Sequence, residues 1–350
     1  MNAKNIYHND IKASNILVDT TDNTFKIRLI DWGFLTEYVP SDEIPTIWKS
    51  RQIAFNEPFS LILFSDKFYS DYATFILEYN NYNKFNNVID LFLNDYIYRK
   101  ETAGHFNYIM KIFYMLYKNN LPAGMTSHDK EVKVERIYAL PQIRNYLKQI
   151  LLNFTKKIFE SKDVSSSSSS ESIGSLDSSS SSETSVVNNG EQAFITVPSV
   201  GTKSVSQNNN SNSSNSSFNS LTAENIFIDI GKKTAMANII KMELKIYLDS
   251  VFIKNVDIWG FIMCYIPIIK MLSDKYGLLN KLQKQLFEAL KRLLILYLFL
   301  DPNEPILEKT DFYETLDSIT LLLKQIITPK QELMFSATNS FEEYSPEIVS

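Results

Sequence analysis

From residue 161 to about residue 220 the chain consists mainly of Ser and Asn with short acidic punctuation, and this tract governs what the rest can fold into. Ordering a backbone costs roughly 1–2 kcal/mol per residue in conformational entropy, which burial of apolar surface has to offset. A tract so poor in apolar side chains cannot offset it, and it reads as a disordered linker. One island, Ala193-Phe194-Ile195-Thr196-Val197, has the composition of a strand formed on binding. Two apolar stretches therefore flank a tether, and any compact core has to be assembled from them.

The chain has 350 residues, 44% of them hydrophobic, with 23 Phe and 19 Tyr, which suffices for one substantial core and leaves room for a second. Lys and Arg number 35 against 40 Asp and Glu, a formal charge of −5, and no basic stripe or Arg-rich run is present. Nucleic acid is thus not an expected partner. The one cysteine, Cys264, excludes an internal disulfide and a Cys-based metal site and fits a reducing compartment, so a cytoplasmic setting is expected. The opening Met1-Asn2-Ala3-Lys4-Asn5 is polar and offers no apolar segment for a signal peptide. Strongly apolar stretches at residues 261–272 and 293–300 are shorter than the ~20 residues that span a bilayer. They read as buried core helices, and no membrane partner is expected.

Between residues 64 and 160, aromatic and aliphatic side chains recur every three or four positions, which predicts several helices with one buried face. Val88, Ile89, Leu91, Phe92 and Tyr96 form one such stripe; His105, Phe106, Tyr108, Ile109, Ile112, Phe113 and Leu116 form another. Beyond the linker, residues 235–252, 257–270 and 278–300 also read as helices. Lys281, Lys284, Lys291 and Arg292 are taken as the solvated face of the last.

The chemistry lies near the amino terminus. His8-Asn9-Asp10-Ile11-Lys12-Ala13-Ser14-Asn15 is followed by strand-like Ile16-Leu17-Val18-Asp19; a second strand, Phe25-Lys26-Ile27-Arg28-Leu29-Ile30, leads into Asp31-Trp32-Gly33. Thr20-Thr21-Asp22-Asn23-Thr24 has the composition of a hairpin turn, so the strands should fold back and bring Asn15 beside Asp31. Two oxygen donors in one small volume suit Mg²⁺, which leaves room for water and phosphate oxygens. Asp10 beside them could accept a proton from a substrate hydroxyl, and Lys12 could neutralise charge on a transferring phosphoryl group.

His8-x-Asp10-x-Lys12-x-x-Asn15 with Asp31-Trp32-Gly33 resembles the catalytic loop and metal-binding turn of eukaryotic-type serine/threonine protein kinases. The resemblance implies Asp10 as catalytic base, Lys12 as the γ-phosphate contact, and Asn15 and Asp31 as metal ligands. It also implies Leu17 as the floor under adenine, His8 and Gly33 as structural residues, and ATP and Mg²⁺ as cofactors with a protein substrate. Phe55-Asn56-Glu57-Pro58-Phe59 is similar, with altered order, to the motif that closes the family's activation segment. Asn255-Val256-Asp257-Ile258-Trp259-Gly260 is similar to the start of its central buried helix, whose Asp supports the catalytic loop, and Leu298-Phe299-Leu300-Asp301-Pro302 to the segment closing the lobe. A weaker likeness, in Gly104-His105-Phe106-Asn107-Tyr108 and in composition, is to divergent kinases of large DNA viruses, which would put the chain in host cytoplasm.

The expected fold is mainly α with a small β-hairpin, a kinase-like C-terminal lobe interrupted by a helical insertion and a disordered Ser/Asn-rich linker. Residues 1–60 would hold the catalytic loop, metal-binding turn and activation segment; 61–160 the insertion; 161–220 the linker; 221–330 the remaining lobe helices; and 331–350 a flexible tail. Two positions and the start of the sequence depart from the family pattern. Asn9 stands where an Arg usually reads a phosphate, Pro305 stands where an Arg usually pairs with the equivalent of Glu57, and only seven residues precede His8. The glycine-rich loop, strand lysine and hinge are absent from the sequence as given, so a separate small-lobe segment becomes an expected partner and the chain alone is expected to be inactive. A pseudokinase or kinase fragment serving as a binding module is the alternative.

Overall fold

The computed structural model describes residues 4–19, 26–50, 56–79, 85–167 and 223–339. The expected hairpin turn at residues 20–24, Phe55, the linker beyond residue 167 with its apolar island, and residues 340–350 lie outside the described residues.

The fold is mainly helical with two small antiparallel sheets. Strand β1 (Ile6–Tyr7) precedes the motif loop, then β2 (Ile16–Asp19) and β3 (Lys26–Leu29) pair with Ile16 opposite Leu29 and Asp19 opposite Lys26. After a 3₁₀ turn at Trp32–Phe34, β4 (Thr36–Glu37) returns to pair with β1, Tyr7 opposite Thr36. The short helix α1 (Thr46–Ser50) and a 3₁₀ stretch at Phe59–Phe64 lead into the helical part.

There, α2 (Asp66–Glu78), α3 (Phe85–Tyr96), α4 (Lys100–Tyr117), α5 (Ser127–Val134) and α6 (Leu140–Ser167) follow in order. Helix α2 starts where Ser65 accepts a hydrogen bond from the Phe68 amide, and α5 where Thr126 accepts from that of Asp129; each satisfies an otherwise orphaned N–H. Phe68, Tyr69, Tyr72, Ala73 and Ile76 of α2 share a buried face, and α3 buries Val88, Ile89, Phe92 and Tyr96. Leu91, read as part of the α3 stripe, is 48% exposed. Tyr72 and Thr155, both buried, share a hydroxyl hydrogen bond of 2.8 Å that ties α2 to α6.

Beyond the linker, α7 (Ala223–Tyr247) passes through a π turn at Leu248–Phe252 into α8 (Ile253–Met263). Helix α9 (Ile266–Asp274) has a proline in its first turn, α10 (Lys281–Leu294) starts with an Asn280–Gln283 capping box, and α11 (Phe312–Asn339) ends the described chain. The sequence reading placed one helix over 257–270; two are found there, divided at Cys264–Tyr265. The helical run Ile230–Asp274 is long and apolar enough to cross a membrane, with a window of mean hydropathy 1.5, and 50% of that window is buried within the chain. It is longer than the apolar stretch at 261–272 suggested.

Helix α2 packs on α7, α3 on α6, α4 on α9 and α10 on α11. One apolar cluster runs from Tyr7 to Ile319 and draws on both sides of the linker. Lys291, read as solvated, is half-buried with its ammonium 4.1 Å from the centre of the Tyr117 ring, a cation–π contact that charge pattern alone does not reveal.

Candidate active site

The motif loop leaves β1 with its backbone held from below. His8 N–H donates to both carboxylate oxygens of Asp257, at 3.1 and 3.3 Å, and Asn9 N–H donates to Oδ1 at 3.1 Å. Asp257 lies on α8 and is buried, which pushes its carboxyl up from the ordinary 3.8, while the two backbone N–H groups pull it down. The carboxylate spans 249 residues of sequence to reach His8, so the loop and the post-linker helix form one unit.

Close contact along α8 reinforces this. A Cβ added at Gly260 would lie 2.7 Å from Ile11 O, 2.9 Å from Ile11 Cβ and 3.2 Å from Asn56 O. Only glycine lets the helix approach two backbones at that distance. At Gly33 a Cβ would meet only Asp31 Oδ1, at an ordinary 3.5 Å.

Three side-chain nitrogens converge on the buried carboxylate of Asp10, which is 3% exposed. Asn56 Nδ2 donates to Asp10 Oδ1 at 2.9 Å; Asn15 Nδ2 and Lys12 Nζ donate to Oδ2 at 3.0 and 2.7 Å. Asn15 Nδ2 also reaches the Asp10 carbonyl at 2.9 Å. The His8 ring accepts the Asp10 N–H at Nδ1, 3.3 Å, and meets Ile30 O at Nε2, 3.0 Å, so the bonded arrangement puts its proton on Nε2. The ring lies 4.6 Å from that of Trp32.

Ile30 N–H donates to Asn15 O at 3.0 Å, and with the pairing of Ile16 and Leu29 this sets Asp31 beside the end of the loop. Asp31 is exposed and takes the left-handed conformation, φ 62, which a non-glycine residue adopts at some cost. Because the Asn15 amide nitrogen is committed to Asp10, Oδ1 is its uncommitted acceptor among the described residues. Asn15 Oδ1 and the Asp31 carboxylate are both hard oxygen groups, the type that Mg²⁺ takes together with water and phosphate oxygens. Among the described residues no group of three His, Cys, Asp or Glu could hold a metal.

Of the residues singled out in the sequence, His8, Asp10, Asn15 and Asp257 are buried together. Lys12, 47% exposed at its side chain, Leu17, 50% exposed, Asp31 and Gly33 line the open side. Val18, Ile27, Trp32, Phe34 and Leu35 are exposed as well; Val18 and Ile27, paired across the hairpin, lie on its face opposite Leu17.

Two contributors escaped the sequence reading. Asn56 figured only as part of a closing motif, yet it donates to Asp10 and, at 3.2 Å, to Ile11 O. Asn9 figured only as a missing Arg. It adopts φ 58, donates from Nδ2 to Phe34 O at 2.9 Å and Thr36 Oγ1 at 2.7 Å, and accepts from Trp48 Nε1 at 3.1 Å. It is a neutral junction between the loop and the segment after Asp31; its position beside Asp10 is the sole local signal. Compared with protein-family models, characterised proteins and solved structures, the chain matches none.

Proposed function

We propose that this chain carries the phosphoryl-transfer half of a serine/threonine protein kinase-like site, moving the terminal phosphate of ATP to a protein hydroxyl. The observation that carries the reading is the Asp10 carboxylate, buried yet held by Asn15, Lys12 and Asn56, on a loop whose end is set next to Asp31 by the β2–β3 pairing. A carboxylate fixed through both oxygens is aimed before substrate arrives, as a general base has to be. The hold of Asp257 on the His8 and Asn9 amides supports the same reading, since it keeps that aim rigid.

In this reading Asp10 accepts the hydrogen bond and then the proton of the substrate hydroxyl. Lys12, anchored at Asp10 by an exposed side chain, is free to turn its ammonium to a phosphoryl oxygen. Asn15 Oδ1 and the Asp31 carboxylate would hold Mg²⁺, which when bound neutralises charge on the phosphates. Leu17, exposed on β2, offers apolar surface on which a nucleotide base could rest. No glycine-rich phosphate loop is found in the sequence, so the grip on ATP falls to a small lobe supplied in addition to these residues.

The test is transfer from ATP to a Ser/Thr protein substrate with Mg²⁺, by the chain joined to a kinase small lobe. Transfer is expected, absent without the lobe, and reduced at least about 100-fold by Asp10→Asn and by Asp31→Ala. Full activity of the Asp10→Asn form, or none in a folded joined protein that binds ATP, would sink the proposal.

A further inference from the structure

Between Asp31 and Asn56 a second polar cluster lies apart from the loop. Tyr38, 2% exposed, donates its hydroxyl to Asp249 Oδ1 and accepts from Lys245 Nζ. Lys245 Nζ reaches both oxygens of Asp249, at 3.0 and 2.9 Å, and sits 5.0 Å from the centre of the Tyr38 ring. The Ser41 amide donates to Asp249 Oδ2 at 3.1 Å. Burial first, and then the bond to Asp249, raises the pKa of the Tyr38 phenol, so it stays a donor.

Two further observations bear on what the cluster does. Ser41 adopts φ 83, a conformation that persists in a non-glycine residue only where its surroundings hold it, and Asp249 supplies the bond at its amide. Asp249 lies in the π turn between α7 and α8, the helical path that carries Asp257. Trp48 closes the same corner, edge-on to Tyr38 at 5.3 Å and to Phe252 of the π turn at 5.4 Å, while its Nε1 bonds Asn9.

We propose that Asp249 and Tyr38 are positioning residues, a latch through which the post-linker helix holds residues 36–48 against the loop at Asn9, next to Asp10. The catalytic consequence rests on the function proposed above; the latch itself does not. No group in it touches the reacting atoms. It acts by limiting the freedom of residues 36–48, which bond Asn9 through Thr36 and Trp48.

Hydrogen–deuterium exchange on the full chain tests the latch without any need for catalysis. In Asp249→Ala, amides of residues 36–48 are expected to exchange about tenfold or more faster, with α4 and α8 unchanged. Tyr38→Phe, which keeps the buried ring, should show the same local pattern with a smaller rise and serves if Asp249→Ala fails to fold. Unchanged exchange at 36–48 in the folded variants, or an equal rise across α8, would overturn the latch. In the chain joined to a small lobe, Asp249→Ala should lower kcat about tenfold with KM for ATP unchanged, and Asp249→Glu should restore part of it. Local loosening with unaltered kcat would overturn the link to Asp10. An inactive parent would sink the function proposed above and leave the exchange data to decide the latch.

Discussion

Asp257 is pulled two ways, since burial favours its neutral form and the His8 and Asn9 amides favour its charge. Burial prevails, so the folded chain binds the proton more tightly than the unfolded chain. Stability from this group is then fullest below the ordinary 3.8 and is lost as pH rises through the raised folded value. Asp257→Asn removes that slope, so urea titrations should give it a smaller cost at pH 7 than at pH 4; a cost that grows with pH would show the amide bonds outweighing burial. Asp257→Ala should cost about 2–4 kcal/mol at neutral pH, because it strands two buried amides. Cys264 gives an independent check, since burial pushes its thiol up to about 11. At pH 8 it should react with a disulfide reagent roughly 100-fold more slowly than an exposed cysteine, and speed up on unfolding. At this scale the sequence revealed what sits close together: His8, Asp10, Lys12 and Asn15 share one short loop. It hid Asn56 on Asp10, 46 residues away, and Tyr38 on Asp249, 211 residues away, because no local pattern encodes a distant partner.

Among the elements, helices with one apolar face were legible from their period, as α3 and α4 illustrate, because burial of one face is what makes such helices stable. Less legible were the interruptions. The π turns at Leu248–Phe252 and Ile295–Leu300 leave the apolar run unbroken, so residues 235–252 and 278–300 each read as plain helix. Lys291 looked solvated because a charge pattern says nothing of an aromatic ring arriving from α4. Gly260 shows what a close approach demands of an element. Gly260→Ala places a methyl against the Ile11 carbonyl, which as backbone cannot swing aside, and should cost about 1–3 kcal/mol. Gly231→Ala, on α7 with nothing within 4 Å of the added carbon, should instead stabilise by about 0.5–1 kcal/mol through helix propensity. Thermal melts of the two variants decide it; similar shifts would mean that α8 does not rest on the loop.

For the whole molecule, the decisive fact is one core drawn from both sides of the linker. Helix α2 has α7 as its neighbour, and the loop has Asp257. Residues 1–167 expressed alone should therefore fail to give a cooperative melt, whereas co-expression with residues 223–350 should yield a one-to-one complex that melts as a unit. A cooperative transition in either piece alone would show two cores. The π turn acquires its meaning at this scale. Successive residues of an α-helix are about 100° apart in phase, so Asp249 and Asp257, eight positions apart, would stand about 80° out of step on a regular helix. A π turn takes up one residue more than an α turn, which brings the pair to within about 20°. One surplus residue thus acts as a phase corrector on a shaft, setting two carboxylates to the same side. With a residue excised there, either carboxylate could still meet its partners, but one rotation of the helix would no longer serve both.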